Sequence, residues 1–151
     1  MDDLSAIDGW IGAFVERLGA AERRKLARRL AIGLRARQAR RIAEQRNPDG
    51  SKFEPRKPRK LGDKAGRIKR TAAMFIKLRQ ARHMLVESGA DGASVGFTGV
   101  AAVIARIHQE GLLNKLGPNG PLYQYPSRRL LGWTDEDEDW VMEQVLNHLR
   151  G

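Results

Sequence analysis

The chain has 151 residues, of which 41% are hydrophobic, a formal net charge of +10 and no cysteine. This length suits one core, and we expect residues 1–151 to form a single domain. The absence of cysteine excludes disulfides, thiolate nucleophiles and cysteine-ligated zinc. The longest apolar run, at positions 100–105, is far shorter than the roughly 20 residues of a membrane-spanning helix, so we expect no membrane span.

The charge is distributed unevenly along the chain. Residues 1–21 carry a net charge of −3, residues 22–82 carry +17 and residues 83–151 carry −4. A basic middle favours contact with nucleic acid or with an acidic protein surface, and in a homo-oligomer it can face the acidic part of a neighbouring copy. Composition alone leaves these alternatives open.

Two amphipathic helices are predicted at the start of the chain. The first has apolar residues at helical spacing and ends near Gly19; they are Leu4, Ile7, Ile11, Phe14 and Leu18. The second runs from about residue 21 to residue 46, with Leu26, Leu30 and Leu34 on its apolar stripe. Its outer face is rich in arginine, which is typical either of a solvated helix or of a partner contact.

A turn, a basic arm and a short helix are predicted next. Residues 47–50, Asn-Pro-Asp-Gly, have the residue types of a type I turn. Residues 51–66 hold three apolar residues against six Lys or Arg, so we expect a mobile arm that a partner orders. Residues 68–82 are predicted to form a short helix with Ala72, Phe75 and Ile76 turned inward.

A hairpin and a buried helix are predicted after the arm. Residues 83–88 and 93–98 are β-prone and flank a four-residue loop at 89–92. Beyond Gly99, Val100, Val103, Ile104 and Ile107 recur at helical spacing, which predicts a buried helix capped by Gly111.

The C-terminal part is predicted to contain a loop, a strand and a helix. Residues 112–126 include Gly-Pro-Asn-Gly-Pro and indicate an exposed loop, and residues 128–131 a last strand. Thr134 is a candidate cap for a helix with an acidic first turn and an apolar stripe through Val141 and Val145. The elements together predict an α+β fold, with long N-terminal helices, a small antiparallel sheet with its hairpin at about 83–98, a packed helix and a C-terminal helix.

Motifs for catalysis or cofactor binding are not found in the sequence. The three histidines are far apart and lack metal-ligand spacing, and neither a phosphate-binding glycine loop nor a nucleophile elbow is present. His108 and Glu110 suggest a small enzyme, but residues two apart on a helix point to different faces. We therefore expect no enzyme, no metal and no cofactor.

The charged side chains are the candidate contact residues. The basic candidates for a partner or for the DNA backbone are Arg35, Arg37, Arg40, Lys52, Arg56, Lys57, Arg59 and Lys60. The acidic candidates for a subunit interface are Asp135, Glu136, Asp137, Glu138 and Asp139, although helix capping explains acids at a helix start equally well. A nonspecific nucleic-acid-binding protein is the alternative function that this pattern supports.

Three groups of short patterns occur in a characteristic order. They are Arg41-Ile42 with Gln45 before Asn47-Pro48-Asp49-Gly50, then Gly96-Phe97-Thr98-Gly99 with Ile107-His108-Gln109-Glu110-Gly111, then Tyr125-Pro126 with residues 128–132. Together they resemble the phage virion morphogenesis family, the tail completion proteins of contractile-tailed phages and prophages. The chain is also similar to the wider group of neck and tail-terminator proteins, which form rings around the DNA channel.

The resemblance implies a non-enzymatic virion protein. It would complete the tail at the head-proximal end and prepare it to join the capsid. The expected location is the host cytoplasm during assembly and the head-proximal end of the tail in the virion. It implies α+β subunits in a ring, with a hexamer expected, and as partners the tail tube or sheath terminator and the head-tail connector. Such a ring uses heterologous interfaces, which the basic and acidic parts of the chain are suited to form.

Overall fold

The computed structural model describes residues 17–56 and 72–151, which form helices and two small sheets. The helices are α1 (Ala20–Ala43), α2 (Gly99–Glu110) and α3 (Asp135–Leu149). The strands are β1 (Met84–Gly89), β2 (Gly92–Phe97), β3 (Leu113–Lys115) and β4 (Leu122–Gln124). The predicted α+β class is confirmed, whereas the predicted helix at residues 4–18 lies almost wholly outside the described residues.

The chain divides into two compact units. Within the described residues, unit 1 comprises residues 17–37, 85–95 and 133–151, and unit 2 comprises residues 38–56, 72–84 and 96–132. The prediction of a single domain stays a prediction.

Unit 1 is built on α1 and α3. Leu26 of α1 is buried with Val141 and Val145 of α3, and Leu30 and Leu34 pack against them. These residues belong to the stripes that the 3.6-residue period predicts, so hydrophobic burial explains both helices. The cap predicted at Thr134 is confirmed, and it forms a capping box. The Thr134 hydroxyl accepts from the Asp137 amide at 3.0 Å, and the Asp137 carboxylate accepts from the Thr134 amide at 3.1 Å.

The core of unit 2 contains residues from segments without regular secondary structure as well as residues from helices and strands. Ile42, Met84 and Leu130 are fully buried, and Ala101 and Ala105 of α2 face inward. Leu130 belongs to the predicted last strand, but residues 128–131 form no strand. Their backbone is instead held by side chains from other segments, as described below.

The two hairpins differ from the sequence-based expectations. β1 and β2 pair as predicted, but Ala90 and Asp91 alone connect them, in place of a four-residue loop. β3 and β4 pair antiparallel inside the predicted loop at 112–126, with Asn114 opposite Tyr123. Because three-residue strands carry almost no period-two signal, the sequence did not reveal this second hairpin.

Between residues 43 and 82, two predictions are wrong and one is confirmed. Helix α1 ends at Ala43, before residue 46, and Gln45 takes a left-handed φ of 58°. The turn at 47–50 is confirmed, with the Gly50 amide donating to the Asn47 carbonyl at 2.9 Å. Residues 72–82 form turns without a helix, Phe75 has a φ of 65°, and Ile76 is exposed while Leu78 is buried.

The first residues of the predicted basic arm make contacts within unit 2. The side chain of Phe53 is only 4% exposed, and its amide donates to the Gln45 carbonyl at 2.8 Å. Phe53 therefore contributes to the core of unit 2, and the mobile arm stays a prediction. Residues 57–66 lie outside the described part of the chain.

The burial of α2 is opposite to the prediction. Val100 is 76% exposed, Val103 62% and Ile104 41%, while the small residues Ala101 and Ala105 are buried. Small side chains let the helix approach the rest of unit 2 closely, and the larger apolar stripe is left on the outside. The predicted cap at Gly111 is confirmed, with a left-handed φ of 64°.

Candidate interaction surfaces

Arg128 ties together segments that are far apart in the sequence. Its Nε donates to the Glu54 carbonyl at 2.7 Å, its Nη2 donates to the Pro55 carbonyl at 2.9 Å, and its Nη1 lies 3.2 Å from Nδ1 of His108. The residue is 4% exposed, and burial lowers the pKa of its guanidinium. Because a guanidinium has only donors, Nδ1 of His108 accepts this bond.

Arg41 has the same role at the end of α1. Its guanidinium donates to the carbonyls of Arg129 and Leu130 at 3.2 and 3.1 Å, to the carbonyl of Arg46 at 3.4 Å and to Oε1 of Gln38. Arg41 and Gln38 are both buried. The irregular backbone before Gly132 therefore obtains from side chains the hydrogen bonds that a sheet would otherwise provide.

Two glutamines hold irregular backbone with a pair of hydrogen bonds each. Gln109 donates to the Leu131 carbonyl at 2.8 Å and accepts from the Leu131 amide at 2.9 Å. Gln45 does the same for Met74, at 2.9 and 2.7 Å. Each amide side chain thereby supplies the donor and the acceptor that the backbone of a neighbouring strand would supply.

The turn at 47–50 packs directly against the segment after Arg128. Oδ1 of Asn47 accepts from the Arg129 amide at 2.8 Å. A Cβ on Gly132 would lie 2.3 Å from Cγ of Pro48, so only glycine fits there. The patterns that carried the family resemblance are thus brought into contact within unit 2, and the contacts are structural.

His108 lies in a row of aromatic rings. Its ring centroid is 4.8 Å from that of Phe75 and 5.1 Å from that of Tyr125, both in edge-to-face geometry. Burial, and then the positive charge of Arg128, lowers the pKa of His108 to about 4. The ring is therefore neutral at physiological pH and acts as a packing group and hydrogen-bond acceptor.

A catalytic role for His108 and Glu110 has no support in their geometry. The carboxylate of Glu110 is exposed and pairs with Arg106 at 3.3 Å, whereas the imidazole is turned toward Arg128 and the aromatic rings. Among the described residues, no group of three or more His, Asp or Glu is arranged to hold a metal ion. In the same part of the chain, no helix is both long and apolar enough to cross a membrane.

The outer face of α1 in unit 1 is strongly basic. Arg24, Lys25, Arg28 and Arg29 are exposed, and Arg35 is half-buried. The Lys25 ammonium lies 3.2 Å from the Glu22 carboxylate, and this cation, more than any other group, lowers the pKa of Glu22. Contact of these exposed arginines with an acidic partner stays a prediction.

Two of the predicted contact residues bind each other. Nε of Arg37 donates to Oδ1 of Asp137 at 2.6 Å, and the Arg37 guanidinium lies 5.7 Å above the centre of the Trp140 ring. Asp137 is buried and completes the capping box of α3. The Arg37 side chain is still 25% exposed and that of Asp137 5%, and contact of either residue with a partner stays a prediction.

The other predicted contact residues have different surroundings. Asp135, Glu136 and Asp139 are exposed on α3, and Glu138 is half-buried. Arg40 and Lys52 are exposed in unit 2, whereas Arg56 is half-buried and donates to the Ala73 carbonyl at 3.1 Å. The last three basic candidates, Lys57, Arg59 and Lys60, lie outside the described residues.

Comparison with known proteins identifies the family of the chain. The profile of the phage virion morphogenesis family matches residues 2–150. The chain belongs to this family. It is 35% identical over 150 residues to the tail completion protein S of Escherichia phage P2, an alignment that covers 99% of both chains. No solved structure matches.

The residues that hold the family patterns together were not identified from the sequence as functional. Arg41 and Arg128 are in arginine-rich surroundings, where a buried guanidinium has no distinct pattern. The available sequence signal was a nearby apolar residue: Ile42 follows Arg41, and Leu130 comes two residues after Arg128. Both apolar residues are buried in the structure. The contacts described above therefore give these motifs a structural role within unit 2.

Proposed function

We propose that this chain is a structural virion protein that completes the phage tail at its head-proximal end and mediates joining of the tail to the head. The observation that carries this proposal is the end-to-end similarity, 35% over 150 residues, to a protein named tail completion protein S. The geometry of His108 and Glu110 supports a protein without catalytic function. The protein acts in the virion, at the end of the tail.

The subunits form a ring, and the expected number of subunits is six. A ring requires two different complementary surfaces on each subunit. The arginine face of α1 and the exposed acids Asp135, Glu136 and Asp139 of α3 are oppositely charged surfaces of unit 1. Between neighbouring copies they orient the encounter, since electrostatic complementarity contributes more to rate and specificity than to affinity. The remaining ring surfaces contact the tail tube or sheath terminator and the head-tail connector.

Deletion of the gene in the phage or prophage that encodes this chain tests the proposal. We expect filled heads and free tails that do not join, with joining restored by the gene supplied in trans and counted by electron microscopy. Gold-labelled antibody on complete particles should bind near the head-tail junction. Joined, infectious particles made without the protein contradict the proposed function, and a label at the distal end contradicts the proposed location.

Contact with the DNA backbone is a second candidate function. The exposed arginines of α1 support it, because clustered guanidinium groups bind phosphate and release counterions. Replacing Arg28 and Arg29 by Gln should then lower the slope of log affinity against log salt by up to about 2. The matched control replaces Lys77 and Arg82, two exposed cations of unit 2, and should leave the slope unchanged. Equal slopes in all three proteins contradict this function.

A further inference from the structure

Helix α2 has an apolar stripe that the protein's own core does not cover. Val100, Val103, Ile104 and Ile107 follow the i, i+3, i+4, i+7 spacing of one helix face. Val100 is 76% and Val103 62% exposed, and the helix buries its alanines instead. An amphipathic face turned outward is typical of a protein interface.

The β3–β4 hairpin has a second, differently shaped apolar face in the same unit. The register places Leu113 opposite Gln124 and Lys115 opposite Leu122, so these four side chains lie on one face. Leu113 is 56% and Leu122 65% exposed. A two-stranded hairpin is only marginally stable by itself, so a partner that covers its leucines would also stabilise it.

The charges next to the two faces are opposite. Lys115 is exposed beside Leu122 on the hairpin. Glu110 is exposed at the end of α2, and its ion pair with Arg106 spans one helical turn at 3.3 Å between side chains that are half or more exposed. Such a surface pair contributes little and exchanges readily for another partner.

We propose that the leucine face of the β3–β4 hairpin of one copy covers the apolar stripe of α2 on the next copy, with Lys115 of the first paired to Glu110 of the second. The two faces are unlike, as a heterologous head-to-tail contact requires. The inference rests on the proposed ring and assigns its apolar contact. The occupant of the α2 stripe is a second copy of this chain.

Mixing two variants tests this contact. Val103→Asp damages only the α2 stripe and Leu122→Asp only the hairpin face, and both sites are exposed, so both variants should fold as judged by circular dichroism. Each alone should have the mass of one chain by light scattering. Their mixture should form a two-chain complex and nothing larger, because one intact hairpin meets one intact stripe. Ile76→Asp, at an exposed apolar position outside both faces, should assemble as the unmodified protein does.

The possible results of these experiments distinguish failure of the proposed contact from failure of the proposed ring. A single-chain mass for the unmodified protein contradicts the ring and the contact together. A ring that Val103→Asp and Leu122→Asp leave intact contradicts only the contact, as does a mixture that stays monomeric. Lys115→Glu and Glu110→Lys should each weaken assembly, and the variant carrying both should recover it; failure to recover contradicts the assigned ion pair.

Discussion

At the residue scale, the distinctive feature is the use of buried guanidinium groups to satisfy irregular backbone. Arg128 binds the carbonyls of Glu54 and Pro55, and Arg41 binds those of Arg129 and Leu130. Buried carbonyls outside helices and sheets need partners, and a planar group with five donors can supply several at once. These arginines therefore let unit 2 bury chain that has no regular secondary structure.

Arg128→Met should destabilise the protein by about 2 to 4 kcal/mol, because it leaves buried carbonyls without donors. The matched control is Arg129→Met, whose side chain is exposed and which should change stability by no more than about 0.5 kcal/mol. Urea unfolding followed by circular dichroism measures both. Equal effects of the two substitutions would show that the carbonyl contacts of Arg128 contribute little.

His108 should make the protein less stable in mild acid. Its pKa is about 4 in the folded protein and near 6.5 in the unfolded chain, so the unfolded state binds more protons between these values. The stability that depends on a neutral His108 ring is fully present above about pH 6.5 and is lost as the pH falls toward 4. With screening of the half-buried ring, this part of the free energy of unfolding amounts to about 1 to 2 kcal/mol. The stability difference between the unmodified protein and His108→Gln should shrink across this interval, and a constant difference would contradict the assignment.

At the element scale, side-chain size decides which helix faces are buried. Helix α2 turns its alanines inward and its larger apolar residues outward. In α1, Gly33 is approached by the Trp140 ring of α3, which would lie 2.0 Å from a Cβ at that position. Close packing, more than apolar periodicity, therefore sets the orientation of α2, and it favours glycine at position 33 of α1.

Gly33→Ala should destabilise unit 1, although alanine is favoured over glycine inside a helix by about 1 kcal/mol. The added methyl group collides with the Trp140 ring, which also lies against Arg37. In a Trp140→Ala background the collision is absent, and the same substitution should become stabilising. Thermal unfolding of the four proteins of this double-mutant cycle gives the result; an unchanged sign in the second background would contradict the steric explanation.

At the scale of the whole molecule, charge and apolar surface have different roles in the proposed assembly. The net charge of +10 comes from the middle of the chain, and the exposed acids of α3 face solvent. Exposed charges are screened by salt, whereas burial of apolar surface is not. The proposed ring is therefore oriented by charge and stabilised by the contact between α2 and the β3–β4 hairpin.

Added salt should slow ring formation without lowering the final mass of the ring. Time-resolved light scattering at low and moderate salt measures the rate and the end point together. Replacing Glu136 and Asp139 by Lys should slow association even at low salt, while the same change at Glu87 and Asp91 of the β1–β2 hairpin should have less effect. A ring that dissociates at moderate salt would show that charge, and not the apolar contact, holds it together.

Local patterns predicted the elements that depend on local physics. The α1 and α3 stripes, the cap at Thr134, the turn at 47–50, the Gly111 cap and the β1–β2 hairpin follow from helical period, cap chemistry and turn residues. The strands β3 and β4 were missed because three residues carry almost no period-two signal. The turns at 72–82 and the packing of Phe53 were missed because they depend on contacts with residues distant in the sequence. Gln45 at Met74 and Arg128 at Glu54 are the clearest examples.

The sequence by itself determined the α+β class, the family and the absence of recognisable catalytic motifs, because these depend on periodicity, composition and the order of short patterns. Only the tertiary structure decided which charged residues are buried and which apolar stripe is exposed. Arg37 and Asp137 form an ion pair with each other, and the Val100–Val103 face of α2 is turned to solvent. A helical pattern shows which residues share one face of a helix, but it does not show which element packs against that face. Burial depends on this packing.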